Sequence, residues 1–387
     1  PSPDDRYDSW GDFCLKPFLD SADKIGVTMD VVYASDKYRS GFFVSAIERS
    51  LSRIDKAKSA IQEVSGRQLD DQWSPIQIME HGRLKNRQFV RMDSDTKTIT
   101  YRGQDGSEHT VRYDDGQVKL DWRLDWPGRW WLLGIDIEPF GRDHATKGGS
   151  YDTGKRIARE VYDIDAPVPV PYEFINRTGD TKKMSASKGT GVNAHDVVDM
   201  LPPEVVRYFI LRYSPAKRLY FDETDSLVRL VDDFAAMKQH PQNELDKQLL
   251  FLCTDGLDQP AVGSIPFWHL VISYQAALCD MVKTVEILRR SSEYAHIVDE
   301  EEAVIITELG YVSRWLEKWA PESLKFRLTD EVNPDKFSPE QKEYLRRLAD
   351  DIAEAPAGAD GNWFHQAIYA YKESGLLPPR ELFTTIY

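Results

Sequence analysis

At 387 residues and 44.5 kDa the chain can fill two or three domains with sizeable cores, and its 41% hydrophobic and 29% charged residues suit a soluble globular protein. The net charge of −15 argues against a protein that coats nucleic acid by basic charge alone. It leaves room for a structured RNA met by a local basic surface. No apolar run approaches the roughly 20 residues needed to span a bilayer. The opening Pro1-Ser2-Pro3-Asp4-Asp5 lacks the basic and apolar parts of a signal peptide. Cys14, Cys253 and Cys279 are far apart and odd in number, so a reducing cytoplasm is expected rather than a disulfide framework. No CxxC pair is present, and no metal site is assigned. With no initiator Met and a helix-like ending from Glu381 to Tyr387, both ends are expected to be cut.

In chain order, Ile25 to Tyr33 reads as a buried strand. A helix is expected from Phe43 to Val64, with Val44, Ile47, Leu51, Ile54 and Ala57 on one face. Residues 74–122 change character. Thr98 to Arg102 and Thr110 to Tyr113 alternate like strands, and Asp105-Gly106 and Asp115-Gly116 mark turns, so a small β insertion is expected. Trp131 to Ile137 reads as a core strand, Thr153 to Tyr162 as a helix, and Val168 to Ile175 as an extended segment. That order predicts a βαβ unit of a parallel sheet.

After residue 200 the pattern turns helical. Pro202-Pro203-Glu204 opens a helix whose arginines would be solvated, and Leu227, Leu230, Val231 and Phe234 share one face. Ser338-Pro339-Glu340-Gln341 has the form of a capping box. A domain boundary is placed near His240-Pro241-Gln242-Asn243.

Three segments carry chemistry. The first is Lys182-Lys183-Met184-Ser185-Ala186-Ser187-Lys188-Gly189-Thr190-Gly191, between a predicted strand and a predicted helix. Its ammonium and backbone N–H groups could meet the charge that builds on a triphosphate as pyrophosphate leaves. Composition alone would leave it an ordinary basic loop, and it is not a P-loop. The second, Val118 to Trp130, reads either as an interior strand and turn with buried indoles, or as a pocket whose acid and indole grip an ammonium. The third runs from Gly134 through Gly141-Arg142-Asp143-His144 to Gly148-Gly149-Ser150-Tyr151-Asp152-Thr153-Gly154-Lys155. A strand leading into a polar loop and then a helix is where open α/β sheets bind nucleotides.

Lys183-Met184-Ser185-Ala186-Ser187-Lys188-Gly189 resembles the signature loop of class I aminoacyl-tRNA synthetases, in the variant of the class I lysyl-tRNA synthetases. The Asp125-Trp126-Pro127-Gly128-Arg129-Trp130 and Gly141-Arg142-Asp143-His144 segments resemble the same family in order and spacing. The resemblance implies catalytic roles at the ATP phosphates for Lys183 and Lys188, assisted by Met184, Ser185 and Ser187. It implies ATP contacts at Gly141 and Asp143, with Asp143 by the ribose, and an amino-acid pocket shaped by Trp126, His144 and Tyr172. Glu173 is expected near the substrate ammonium.

The implied fold is α/β: an incomplete Rossmann-like class I catalytic domain over residues 1–73 and 123–240, interrupted by the β insertion at 74–122. An all-α anticodon-binding domain would follow over residues 241–387. The implied activity is that of a cytoplasmic lysine–tRNA ligase, using L-lysine, ATP with Mg2+, and tRNA(Lys), without DNA, membrane or zinc. Relatives often carry a cysteine cluster in the insertion, and 74–122 has none. None of the eight histidines lies in a His-Ile-Gly-His sequence, the ATP-binding turn that the family needs. That turn is expected upstream of Pro1, and the chain alone is expected to activate lysine poorly. Two other readings stay open: another class I synthetase, such as the arginyl type, and a non-catalytic synthetase-like protein that binds tRNA or nucleotide.

Overall fold

The computed structural model describes residues 3–70, 73–179, 192–258, 260–326 and 333–386. The signature loop lies outside them, and with it Lys183, Met184, Ser185, Ser187 and Lys188. The chain forms two compact bodies, Pro1–Asp222 with Gln242–Asp258, and Glu223–Pro241 with Gln259–Tyr387.

The first body begins with α1 (Trp10–Lys24), capped where Ser9 Oγ accepts from the Asp12 N–H at 3.1 Å. The stretch expected as a buried strand, Ile25 to Tyr33, pairs with no strand among the described residues. Val27, Met29, Val31, Val32 and Tyr33 are exposed, so local β propensity has no partner to act on there. After α2 (Ala34–Arg39), the single helix expected from Phe43 to Val64 is two, α3 (Val44–Ser52) and α4 (Ile54–Ser65). They part at Arg53, whose Nη1 instead donates to the Val161 carbonyl at 2.8 Å and pairs with Asp163.

The β insertion is present. Strands β1 (Ile76–Glu80), β2 (Arg83–Asn86) and β6 (Val118–Leu120) form one antiparallel sheet in the order β2-β1-β6. A second runs β3 (Gln88–Asp93), β4 (Thr98–Arg102), β5 (Glu108–Arg112). His81 and Gly82, at φ 51° and 74°, make the tight β1–β2 turn that needs two left-handed residues. The insertion does not fold apart: Ile76, Ile78, Ile99, Val118 and Leu120 share one core with Ile47, Leu51, Ala57 and Ile61.

Next come α5 (Trp122–Leu133), β7 (Ile137–Gly141), α6 (Ser150–Glu160) and β8 (Val168–Tyr172). The expected strand over Trp131 to Ile137 is the last turn of α5, closed by Gly134 at φ 63°, and β7 starts only at Ile137. β7 and β8 pair in parallel from Ile137↔Val168 to Gly141↔Tyr172, which with α6 completes the expected βαβ unit. A second parallel pair joins β9 (Ile175–Arg177) to β10 (Leu219–Phe221). Between these lie α7 (Ala194–Met200), with an Asn193/Asp196 capping box, and α8 (Pro203–Leu211), with Pro203 in its first turn.

The division at Asp222/Glu223 differs from the boundary expected near His240, because α10 (Glu244–Thr254) packs on α8 in the first body. Arg207 of α8, expected to be solvated, is the tie. Its guanidinium donates to the carbonyls of Asp255 at 2.6 Å, Ile25 at 2.6 Å and Gly26 at 3.0 Å.

In the second body α9 (Asp225–Gln239), α11 (Phe267–Ala276), α12 (Met281–Arg290) and the long α13 (Ala295–Lys318) bury Leu227, Leu230, Val231, Phe234, Phe267, Leu270, Leu309 and Trp315. The shared face expected over Leu227 to Phe234 is there. The kink of α13 at Glu301 coincides with side chains that hold a loop. Glu301 accepts from the Ser264 N–H at 2.7 Å, and Glu308 from the Gly263 N–H at 2.8 Å. Tyr344, Leu348, Leu377 and Leu382 make a smaller core among α14 (Pro339–Ala353), α15 (Gly361–Ala370) and α16 (Pro379–Thr384). The Ser338/Gln341 capping box opens α14 as expected. No described helix is long and apolar enough to cross a membrane.

Candidate active site

The site is built where α5, β7 and the turn after β7 meet. Asp121 caps α5, its Oδ1 accepting from the Arg123 N–H at 3.1 Å. One turn on, Asp125 and Trp126 leave the helix in different directions, as consecutive helical residues must. Asp125 is 2% exposed; it accepts from the Tyr38 hydroxyl at 2.6 Å and pairs with Arg129. It is therefore a structural carboxylate, not the acid of a ligand pocket.

Trp126 faces β7 instead. Its indole N–H donates to Glu138 Oε1 at 2.7 Å, and its ring lies 5.6 Å from Phe140 and 5.7 Å from His144. Glu138 and Phe140 share one face of β7 by the two-residue period of a strand. That alternation could have pointed to Glu138 from sequence, where it was passed over. Close approach of α6 to α5 depends on Gly154, where a Cβ would stand 2.9 Å from Cη2 of Trp130.

Gly141 ends β7 directly opposite Tyr172, and a Cβ on it would meet Asp143 Oδ1 at 2.8 Å. Glycine therefore lets the Asp143 carboxylate fold back over the strand end. Asp143 and His144 follow in a single turn of 3-10 helix (Arg142–Ala145), with Nε2 and Oδ1 at 4.0 Å. Gly148, at φ 72°, lies where a Cβ would be 2.7 Å from the Val64 carbonyl, and its N–H donates to Asp152 at 2.9 Å. Trp126, Gly141, Asp143, His144 and Tyr172 thus gather around the carboxyl ends of β7 and β8. Tyr172 is half exposed and beside them through the strand register rather than through a ring contact.

Glu173, expected near the substrate ammonium, is held by two arginines. Arg142 binds its Oε1, while Arg218 donates to Oε2 at 3.2 and 3.3 Å. The hydrogen bond from Arg142, with the Phe174 N–H and Arg218, holds its carboxyl below the usual range. Both carboxylate oxygens of Glu173 thus have guanidinium partners. A groove of about 490 Å³ lies elsewhere, along α6 between Lys155, Arg159 and Ile164, and none of the site residues expected from sequence lines it. No group of three or more ligating side chains placed to hold a metal occurs among the described residues.

Residues 1–250 match the family described as tRNA synthetases class I (K). The chain is 33% identical to lysine–tRNA ligase 1 of Methanosarcina acetivorans, over 100% of this chain and 76% of that protein. It is 35% identical to the lysine–tRNA ligase of Archaeoglobus fulgidus, over 91% of this chain and 69% of that one. Among solved structures, the arginyl-tRNA synthetase of Thermus thermophilus overlaps with TM-score 0.24 and 10% identity, over 85% of this chain and 58% of that one. That overlap is too weak to bear on the fold. The chain belongs to the class I lysyl family of tRNA synthetases.

Proposed function

We infer that the chain serves as a lysine–tRNA ligase, joining lysine to ATP as lysyl-adenylate with release of pyrophosphate, then passing the lysyl group to the 3′ end of tRNA(Lys). The similarity to relatives bearing the name lysine–tRNA ligase supports the activity. The observation that carries the choice of lysine is the Trp126–Glu138 pair: a carboxylate anchored at the edge of an indole by its N–H, with the His144 ring 5.7 Å from that indole. A carboxylate next to an aromatic ring suits a primary ammonium by charge and by cation–π attraction. The ammonium role expected of Glu173 is accordingly given to Glu138.

Nucleotide contacts are assigned to Gly141 and Asp143; their position at and just beyond the carboxyl end of β7 supports this, since open α/β sheets bind nucleotides there. His144 and Tyr172 complete the amino-acid side of the site. Lys183 and Lys188, with Met184, Ser185 and Ser187, are assigned to the triphosphate, where the lysines would oppose the charge that develops as pyrophosphate leaves. Mg2+ accompanies the nucleotide. Holding the lysine carboxylate against the α-phosphorus supplies much of the rate, since orientation alone is worth many orders of magnitude. The helical domain expected over residues 241–387 is assigned to the anticodon end of the tRNA, and the reaction to the cytoplasm, in keeping with three free cysteines.

Amino-acid-dependent exchange of pyrophosphate into ATP tests this. Exchange is expected to need lysine and to ignore arginine. The chain alone is expected to be slow, because no His-Ile-Gly-His sequence occurs in it. Lysine-independent or arginine-driven exchange sinks the reading. No exchange with any amino acid, but retained tRNA binding, favours the non-catalytic alternative.

A further inference from the structure

Three stretches of chain far apart in sequence meet at Glu173. The parallel pair β7–β8 ends at Gly141↔Tyr172, so Arg142 and Glu173 emerge side by side just beyond the strand ends. The Glu173 N–H donates to the Pro215 carbonyl at 2.9 Å, and the Leu219 N–H to the Phe174 carbonyl at 3.3 Å. These two bonds bring the residues before β10, and with them Arg218, to the same carboxylate.

The side chain of Glu173 is only 4% exposed, whereas those of Arg142 and Arg218 are 65% and 45% exposed. One anion therefore lies beneath two cations, and the cluster keeps one net positive charge. Glu173 occupies Nη1 of Arg142, and Nε and Nη2 of Arg218. The remaining N–H groups of both guanidiniums meet no acceptor among the described residues. Lys217, next in line, is engaged otherwise, its ammonium resting 3.5 Å from the Tyr213 ring centroid.

We propose that Arg142 and Arg218 form a paired guanidinium site for the pyrophosphate portion of the nucleotide, with Glu173 as the positioning residue that fixes the pair. The proposal rests on the ligase reading for its choice of ligand. Guanidinium forks match phosphate oxygens bidentately, and two forks arriving from different segments suit a tetrahedral oxyanion. A planar amino-acid carboxylate would be satisfied by one. The location beyond the carboxyl ends of parallel strands is where such sheets take nucleotides. A buried carboxylate that holds two flexible side chains removes the ordering cost each would otherwise carry on binding.

Calorimetric titration of the chain with inorganic pyrophosphate tests the site. Arg142→Gln and Arg218→Gln are each expected to weaken binding about tenfold, the loss typical of one charge-assisted hydrogen bond. Lys replacements should fall between, because charge survives and the fork does not. They also serve if a Gln variant fails to fold. Glu173→Gln separates the two roles of the carboxylate. Charge alone predicts tighter pyrophosphate binding once an anion is removed, and positioning predicts weaker binding. Tighter binding in Glu173→Gln overturns the positioning role. Unchanged pyrophosphate affinity in the arginine variants overturns the site, including when their binding of lysine or tRNA is lost. Failure of the ligase reading would register separately, in parallel titrations with the amino acids, as lysine bound no better than arginine.

Discussion

The indole N–H of Trp126 and the Oε1 of Glu138, 2.7 Å apart, join helix α5 to strand β7. A carboxylate held in this way presents its remaining lone pairs in a fixed direction. Replacement of Glu138 by Gln is expected to lower lysine affinity about tenfold or more, the usual cost of losing a charge-assisted contact. Trp126→Phe keeps a ring and loses the N–H, so a smaller loss is expected. Calorimetry with lysine checks both, and equal lysine affinity in Glu138→Gln would remove Glu138 from the site.

Lys183→Ala and Lys188→Ala are expected to slow adenylate formation by about 10²–10³ each, the range found when one preorganised donor to a developing negative charge is removed. Lysine affinity should hardly change, because these side chains are proposed to act on the phosphates. Single-turnover kinetics, beside lysine titration, separates the two quantities. A mainly lysine-binding defect would contradict the assignment.

Tyr38→Phe probes the opposite side of α5. The Tyr38 hydroxyl donates to Asp125 at 2.6 Å and accepts from the Leu120 N–H at 3.2 Å, all within the core. Burial beside that carboxylate raises the Tyr38 pKa well above its ordinary value, so it stays a neutral donor. The variant strands a buried carboxylate oxygen and a buried N–H, which should cost about 1–3 kcal/mol. Urea unfolding measures this, and an unchanged midpoint would show that water replaces the hydroxyl.

On α14, Arg346 and Arg347 hydrogen-bond to Glu343 and hold its carboxyl at about 2, down from the ordinary 4.5. A folded value below the unfolded one means the contribution is complete above pH 4.5 and is lost as pH falls towards 2. Solvent screens these exposed groups, so the effect is small. The urea midpoints of the native chain and Glu343→Gln should differ most above pH 4.5 and converge near pH 2. A constant offset would rule out the linkage.

Cys253 is buried on α10, and that burial pushes its thiol up to about 11, while Cys14 and Cys279 are exposed. A thiol-specific alkylating reagent should modify Cys14 and Cys279 quickly and Cys253 only after unfolding. Rapid labelling of Cys253 in the folded chain would mean that α10 leaves α8 readily.

Local chemistry was readable and long-range pairing was not. The Ser338 capping box, the Asp105-Gly106 turn and the alternation of Thr98 to Arg102 depend on neighbours within a few residues, and they formed as expected. The alternation of Glu138 and Phe140 was equally local and went unused. Trp131 to Ile135 has no polar side chain, a pattern that fits a buried strand and a helix end alike. Ile25 to Tyr33 has strand composition but no described strand beside it. The return of α10 to the first body depends on Arg207 reaching carbonyls at Ile25 and Asp255, and the Glu173 cluster on partners at 142 and 218. Such separations leave no trace in periodicity.

Asp125 and Trp126 are adjacent in sequence, yet one is tied through Tyr38 to Leu120 at the root of the β insertion and the other to Glu138 on β7. Anyone exchanging that insertion for a relative's should therefore treat residues 38 and 120–126 as part of the recipient. A graft cut there would transmit its misfit to the indole through a single peptide unit. Junctions placed after Pro75 and before Val118 would leave the Asp125 anchor intact, while Leu120 still supplies the N–H that orients Tyr38.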